Sequence, residues 1–180
     1  ELQESISLAV LSGDMGLFVA RAEAERLVTT GISLGMQIDL SCSATGRVLL
    51  SGWSEERLAA YFDRIKPEPR TRHSVVKIAA LREVVKNAQM LGYATTDQEL
   101  EIGLRSMAVP VIDERGNIVA AMSASGGLPL GHNSLSGRIM PCVSGWNTRS
   151  SHRCHPGTNC GKFVNALRVE RTIGRANSEL

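Results

Sequence analysis

Four groups of residues in this chain are of types that can do chemistry. The first is His152, Cys154, His155 and Cys160, imidazoles and thiols gathered in the string HRCHPGTNC. Such groups are the usual zinc ligands. Structural zinc sites, however, bring CxxC or HxxxH pairs that set two ligands on one knuckle or helical turn, and Cys-His-Pro-Gly lacks that spacing. No metal site is expected. The second is Cys42, which falls at a predicted helix start, where a thiol pKa can be lowered; its other reading is a small buried residue. The third is the acidic run DQELE, with Asp97, Glu99 and Glu101 alternating. Alternating acids between two strands form a solvated edge more often than a catalytic pair.

The fourth group is a set of hydroxyls in otherwise apolar segments: Ser41, Ser43, Thr45, Thr95, Thr96, Ser106, Ser123 and Ser125. A helix start offers free amides to a carboxylate. An apolar pocket with a few convergent polar groups is the usual make-up of a small-ligand site. The alternative is that the hydroxyls only satisfy nearby backbone. Catalysis has weaker support. His73 is the one imidazole before residue 126, and the chain has no GxSxG, HExxH or GxxxxGK[ST] string. No catalytic residue and no cofactor are expected.

The elements that must position these hydroxyls are legible up to about residue 125. Residues 5–11 and 17–21 read as a hairpin turning at Ser12-Gly13-Asp14, and Arg26 to Ile32 can supply a further strand. Gly31, Gly35 and Gln37 then mark a loop. Ser41 or Ser43 can cap a helix containing Ala44, Val48 and Leu49. Gly46 inside it would cost stability unless close packing or a ligand needs the missing side chain. Ser54, followed by Glu55 and Glu56, starts another helix that must stop before KPEPR. Residues 78–91 carry Ile78, Leu81, Val85, Ala88 and Leu91 on one helical face, with Gly92 as terminator. Strands are predicted over 93–97, 104–112 and 118–125, the last two joined by the turn DERGN. This order favours an α+β domain with an antiparallel sheet.

The chain has 180 residues, 43% hydrophobic and 21% charged, which suits one ordinary globular domain. No run approaches the roughly 18 apolar residues of a membrane span. The net charge of +2 is too weak to argue for nucleic acid, but it is unevenly spread. Residues 1–125 carry 13 Lys and Arg against 16 Asp and Glu, whereas residues 126–180 carry 7 against 2. Three of the four Cys lie in the second part, and the single Cys42 of the first suits a reducing cytoplasm. The second part is rich in Gly, Ser, Asn and Pro without a sustained period, so a poorly ordered tail is expected, with a short helix at most over 162–173. Without an initiator Met, the chain reads as a piece of a longer protein.

Two long strings carry a resemblance. VARAEAERLVTTGISLGMQIDLSCSATGRVLLSG, followed by GYATTDQELEIGLRSMAVPVIDERGNIVAAMSAS, closely resembles the C-terminal effector-binding domain of the IclR family. It covers about residues 4–125. The resemblance implies a GAF/profilin-like α+β fold, a curved antiparallel sheet flanked by helices with one pocket on a sheet face. It implies a cytoplasmic homodimer or homotetramer, a small carboxylate effector, and operator DNA bound only through an upstream winged helix-turn-helix. The family's pocket positions fall on Ala44, Thr45, Thr96, Asp97, Ser106, Ser123 and Ser125. Arg105 would brace the acidic loop through Glu99 or Glu101.

Within the family the strings look most like regulators of aromatic-acid catabolism in the β-ketoadipate pathway, which makes protocatechuate or 4-hydroxybenzoate candidate effectors. The resemblance stops near Ser125, and residues 126–180 have the look of a GC-rich gene read out of frame. Two other functions stay open: a redox enzyme using Cys42 on a GAF-like scaffold, and an oligomerisation module that answers no ligand.

Overall fold

A computed structural model describes residues 5–23 and 31–127. Strands β1 (Ser5–Ser12) and β2 (Met15–Ala22) form the expected hairpin, closed by Gly13 at φ 61°, a left-handed conformation that favours glycine. A three-residue strand β3 (Gln37–Asp39) pairs with β2 where the sequence predicted only loop. Helices α1 (Ala44–Ser51), α2 (Glu55–Arg64) and α3 (Ile78–Leu91) come next, then β4 (Ala94–Asp97), β5 (Leu104–Ile112) and β6 (Ile118–Gly127). The strands make one antiparallel sheet in the order β3-β2-β1-β6-β5-β4, with register shifts at Leu8/Ala9 and Val111/Ile112 that bend it.

The α+β antiparallel architecture predicted from the sequence is the one found. The strand expected over Arg26 to Ile32 lies mostly outside the described residues, and Gly31 and Ile32 themselves carry no strand. The helix expected over 162–173 and the cluster of His152, Cys154, His155 and Cys160 also lie outside them. β6 continues two residues past the predicted end at Ser125, because Gly127 still pairs with Leu104.

Local chemistry explains the helix limits. Ser43 caps α1, its Oγ accepting from the Gly46 amide at 3.0 Å. Ser54 caps α2, whose first turn carries Glu55 and Glu56. α3 stops at Gly92, left-handed at φ 73°, whose amide donates to Ala88. Leu81, Val85 and Ala88 are buried as their spacing predicts, but Leu91, at the last turn, stays 56% exposed.

The core is split by the sheet. On one face α1 lies over Ala94, Ala108 and Ala121, small residues that let the helix approach, and α2 and α3 add Leu58, Tyr61, Phe62, Leu81 and Val85. On the other face Ile6, Met107, Val109, Met122 and Ala124 form a second cluster. Gly46 answers to the first packing: a Cβ there would run into the Leu40 backbone. Gly46→Ala should therefore destabilise by about 1–3 kcal/mol despite alanine's better helix propensity. Denaturant unfolding measures this, and a stabilised variant would contradict the packing.

Candidate ligand-binding site

Strand alternation sorts the candidate residues by face, because cross-strand partners share a side and neighbours in sequence oppose each other. One row on the α1 side runs Ser5, Ser125, Ser106, Thr96 across β1, β6, β5 and β4. The adjacent row runs Arg21, Ser7, Ser123, Ala108, Ala94 across β2, β1, β6, β5 and β4. The hydroxyls thus tile one end of the helix-covered face. α1 points its first turn at them. Its far end meets the start of β6, where a Cβ at Gly52 would come within 3.1 Å of Ile118, and Arg47, one turn in, donates to the Thr95 carbonyl at 3.1 Å.

Ser7, Thr45, Thr96, Ser106, Ser123 and Ser125 are all buried. Ser106 and Ser125 bond each other at 2.9 Å, and Ser7 accepts from Arg21 at 3.0 Å. Among the described residues nothing bonds the hydroxyls of Thr45, Thr96 or Ser123, although each is at most 4% exposed. The amides of Ala44 and Thr45 precede the one that Ser43 caps, and they too lack an acceptor among the described residues. Buried polar groups are nearly always hydrogen-bonded, so a cluster of five donors without acceptors asks for a polar guest.

Of the sequence-predicted positions, Ala44, Thr45, Thr96, Ser106, Ser123 and Ser125 come together here. Asp97 does not. One residue past Thr96, it turns to the opposite face and is held by Arg105 at 2.8 and 3.1 Å. That also corrects the expectation for Arg105, which braces Asp97 and not Glu99 or Glu101. Glu99 belongs to Arg47: both guanidinium nitrogens reach its carboxylate, at 2.8 and 2.6 Å, with the two side chains 2% and 9% exposed. Arg47 also donates to Ser41 O at 3.2 Å, and Glu99 accepts from the Val75 amide at 3.2 Å.

Sequence reasoning overlooked Ser5, Ser7 and Arg21. The signal was present, since SIS in β1 repeats the hydroxyl–apolar–hydroxyl pattern of SAS in β6.

Cys42 lies in a different place. With Asp39, Ser41, Tyr61, Lys66 and Arg70 it lines a cleft of about 470 Å³ between the entry to α1 and the α2–α3 connection, and none of the predicted effector positions borders it. Burial, reinforced by the Asp39 carboxylate, pushes the thiol from its ordinary 9.0 up to about 11. It is a protonated thiol donating weakly to Asp39 O at 3.5 Å, not the activated nucleophile that a helix start could have produced. Burial likewise lifts Tyr61 to about 12, against the opposing hydrogen bond from Ser41.

The family pattern described as "Bacterial transcriptional regulator IclR C-terminal" matches residues 1–128. The chain belongs to the IclR family. This IclR domain is 35% identical over 126 residues to the Pca regulon regulatory protein of Pseudomonas putida, covering 69% of the chain and 43% of that protein. The chain thus spans under half the length of that curated relative. Among solved structures, a transcriptional regulator from Rhodococcus sp. RHA1 superposes with a TM-score of 0.77 at 27% identity, covering 92% of this chain and 64% of that one. An IclR homologue from Microbacterium hydrocarbonoxydans, solved with 4-hydroxybenzoate, shares the fold at a TM-score of 0.75 and 24% identity, over 83% and 62% of the two chains.

In this IclR domain, Glu99→Ala strands Arg47 as a buried, unpaired cation and should cost about 3–5 kcal/mol, whereas replacing both residues by apolar ones of similar volume should cost much less. A double-mutant cycle in denaturant separates the two outcomes. Cys42 and Tyr61 are acids whose folded pKa values lie above the ordinary 9.0 and 10.0. Their contribution is therefore complete below pH 9 and is lost as pH rises through about 11 and 12. Cys42→Ala should flatten the stability curve between pH 9 and 11, and an unchanged slope would refute the thiol's burial.

Proposed function

We propose that this chain is the effector-sensing part of an IclR-type transcription regulator and that it binds a small carboxylate, with aromatic acids foremost. One observation carries the reading: the buried, unpartnered hydroxyls of Thr45, Thr96 and Ser123 meet the unpaired amides of Ala44 and Thr45 at one end of the sheet. Donors so arranged suit the oxygens of a ligand, and the apolar floor of Ala108 and Ala121 suits its carbon skeleton. In this reading Ala44, Thr45, Thr96, Ser106, Ser123 and Ser125 contact the effector, and Asp97 shapes the rim from the far face.

The relation to a Pca regulon regulator and the hydroxybenzoate held by a structure of the same fold support an aromatic acid. The role is binding and not catalysis. His73, the imidazole among the described residues, is exposed and accepts from Arg72, far in sequence from every hydroxyl of the site. In the whole protein, a winged helix-turn-helix outside this chain would bind operator DNA, and a cytoplasmic homodimer or homotetramer would relay the change. The sensing domain would run to the end of β6 at Gly127, two residues past the boundary expected at 125, with the remainder a separate tail. The effector must bind one arrangement better than the other, since equal affinity shifts nothing.

Thermal unfolding against protocatechuate, 4-hydroxybenzoate, glyoxylate and pyruvate tests this. A ligand at 100 times its dissociation constant should stabilise by about 2.7 kcal/mol, a shift of several degrees. Thr45→Val and Ser123→Ala should abolish the shift while leaving the fold intact. A folded chain that answers none of the four acids would return the weight to a ligand-free oligomerisation module.

A further inference from the structure

Arg21 stands at the β2 end of the hydroxyl row, and its side chain is 4% exposed. Its Nη1 donates to Ser7 Oγ at 3.0 Å, and Ser7 is the cross-strand neighbour of Ser123. Adjacent strands lie about 4.8 Å apart, so the guanidinium end sits roughly one strand from the Ser123 hydroxyl. Its Nε donates to Glu23 at 3.0 Å, and Glu23 is 55% exposed. This buried cation, one strand from the unpartnered Ser123 hydroxyl, thus counts among its partners a solvent-exposed carboxylate of its own chain, two residues along.

We infer that Arg21 is the anion anchor of the ligand site and that Glu23 is an internal carboxylate which the ligand's carboxylate displaces. The inference rests on the reading that this face binds a carboxylate, and it adds which residue selects for the charge. A half-exposed Glu23 gives up the contact cheaply, because a solvated carboxylate regains its water. A ligand carboxylate in its place would lie against the guanidinium and the Ser7 and Ser123 hydroxyls in a water-poor setting, where charge-assisted bonds are strong. The amides of Ala44 and Thr45 then serve the ligand's other end. The favoured class is therefore a carboxylate carrying a second oxygen across a short spacer or a ring.

Calorimetric titration of the full chain with 4-hydroxybenzoate and with its uncharged analogue 4-hydroxybenzamide tests the charge selection. The wild type should prefer the acid by tenfold or more. Arg21→Gln should erase that preference by weakening the acid alone, and Arg21→Lys should keep part of it. Glu23→Gln should move the other way, tightening the acid several-fold with the amide unchanged. A purely structural arginine would weaken both probes together, and that result overturns the assignment, as does an unmoved acid affinity in Glu23→Gln. The Glu23→Gln arm stands even if Arg21→Gln fails to fold. Binding of neither probe by the folded wild type overturns the carboxylate reading itself, and the anchor with it.

Discussion

An arginine and a glutamate taken out of water together make demands on everything around them. Arg47 and Glu99 are both buried, and the cost of desolvating two charges is recovered only if their geometry is good and their remaining donors and acceptors are filled. Here most of them are. The carboxylate takes both terminal guanidinium nitrogens, and two further N–H groups of the arginine go to the Ser41 and Thr95 carbonyls. The Val75 amide closes on the glutamate, while Thr71 and Ser74 hold the backbone carbonyl of Glu99. One pair therefore ties α1, the segment entering it, β4, the β4–β5 connection and the segment leading to α3.

The consequence for the site is positional. α1 has only eight residues, too few to be stable by propensity alone, so its placement depends on packing and on this pair. Holding Arg47 over Thr95 fixes the helix's first turn above the hydroxyl end of the sheet, and Gly46 lets the helix close on Leu40. The amides of Ala44 and Thr45 are thereby aimed where Thr96 and Ser123 already point. A polar site in a protein interior needs such support, because a donor displaced by an ångström no longer reaches its acceptor.

Three arginine–carboxylate pairs around this sheet end divide the labour. Arg47–Glu99 is dry, bidentate and shared by many segments, which suits a permanent brace. Arg21–Glu23 has one buried member and one exposed member, with hydroxyls beside the cation, which suits exchange. Arg105–Asp97, on the far face and partly exposed, locks the end of β4 as it enters the acidic connection. Their different roles are set by burial and by what lies beside each pair.

Much of this was legible in the chain itself. A serine cap marked α2, a period of 3.6 with a glycine stop marked α3, and the DERGN turn marked the hairpin of β5 and β6, because those signals act over a few residues. The hydroxyl positions in β4, β5 and β6 and at the α1 start could be named for the same reason. Facing could not. Thr96 and Asp97 are adjacent in sequence, and only the pairing with Ser106 and Arg105 puts one towards the helix and the other away. Nor could partnership: Arg47 and Glu99 stand 52 residues apart, and Arg21 meets Ser7 across a hairpin whose register includes a bulge. Local sequence determines which elements form and what they carry; which side chains share a face, and which charge neutralises which, is decided by strand register and packing between distant segments.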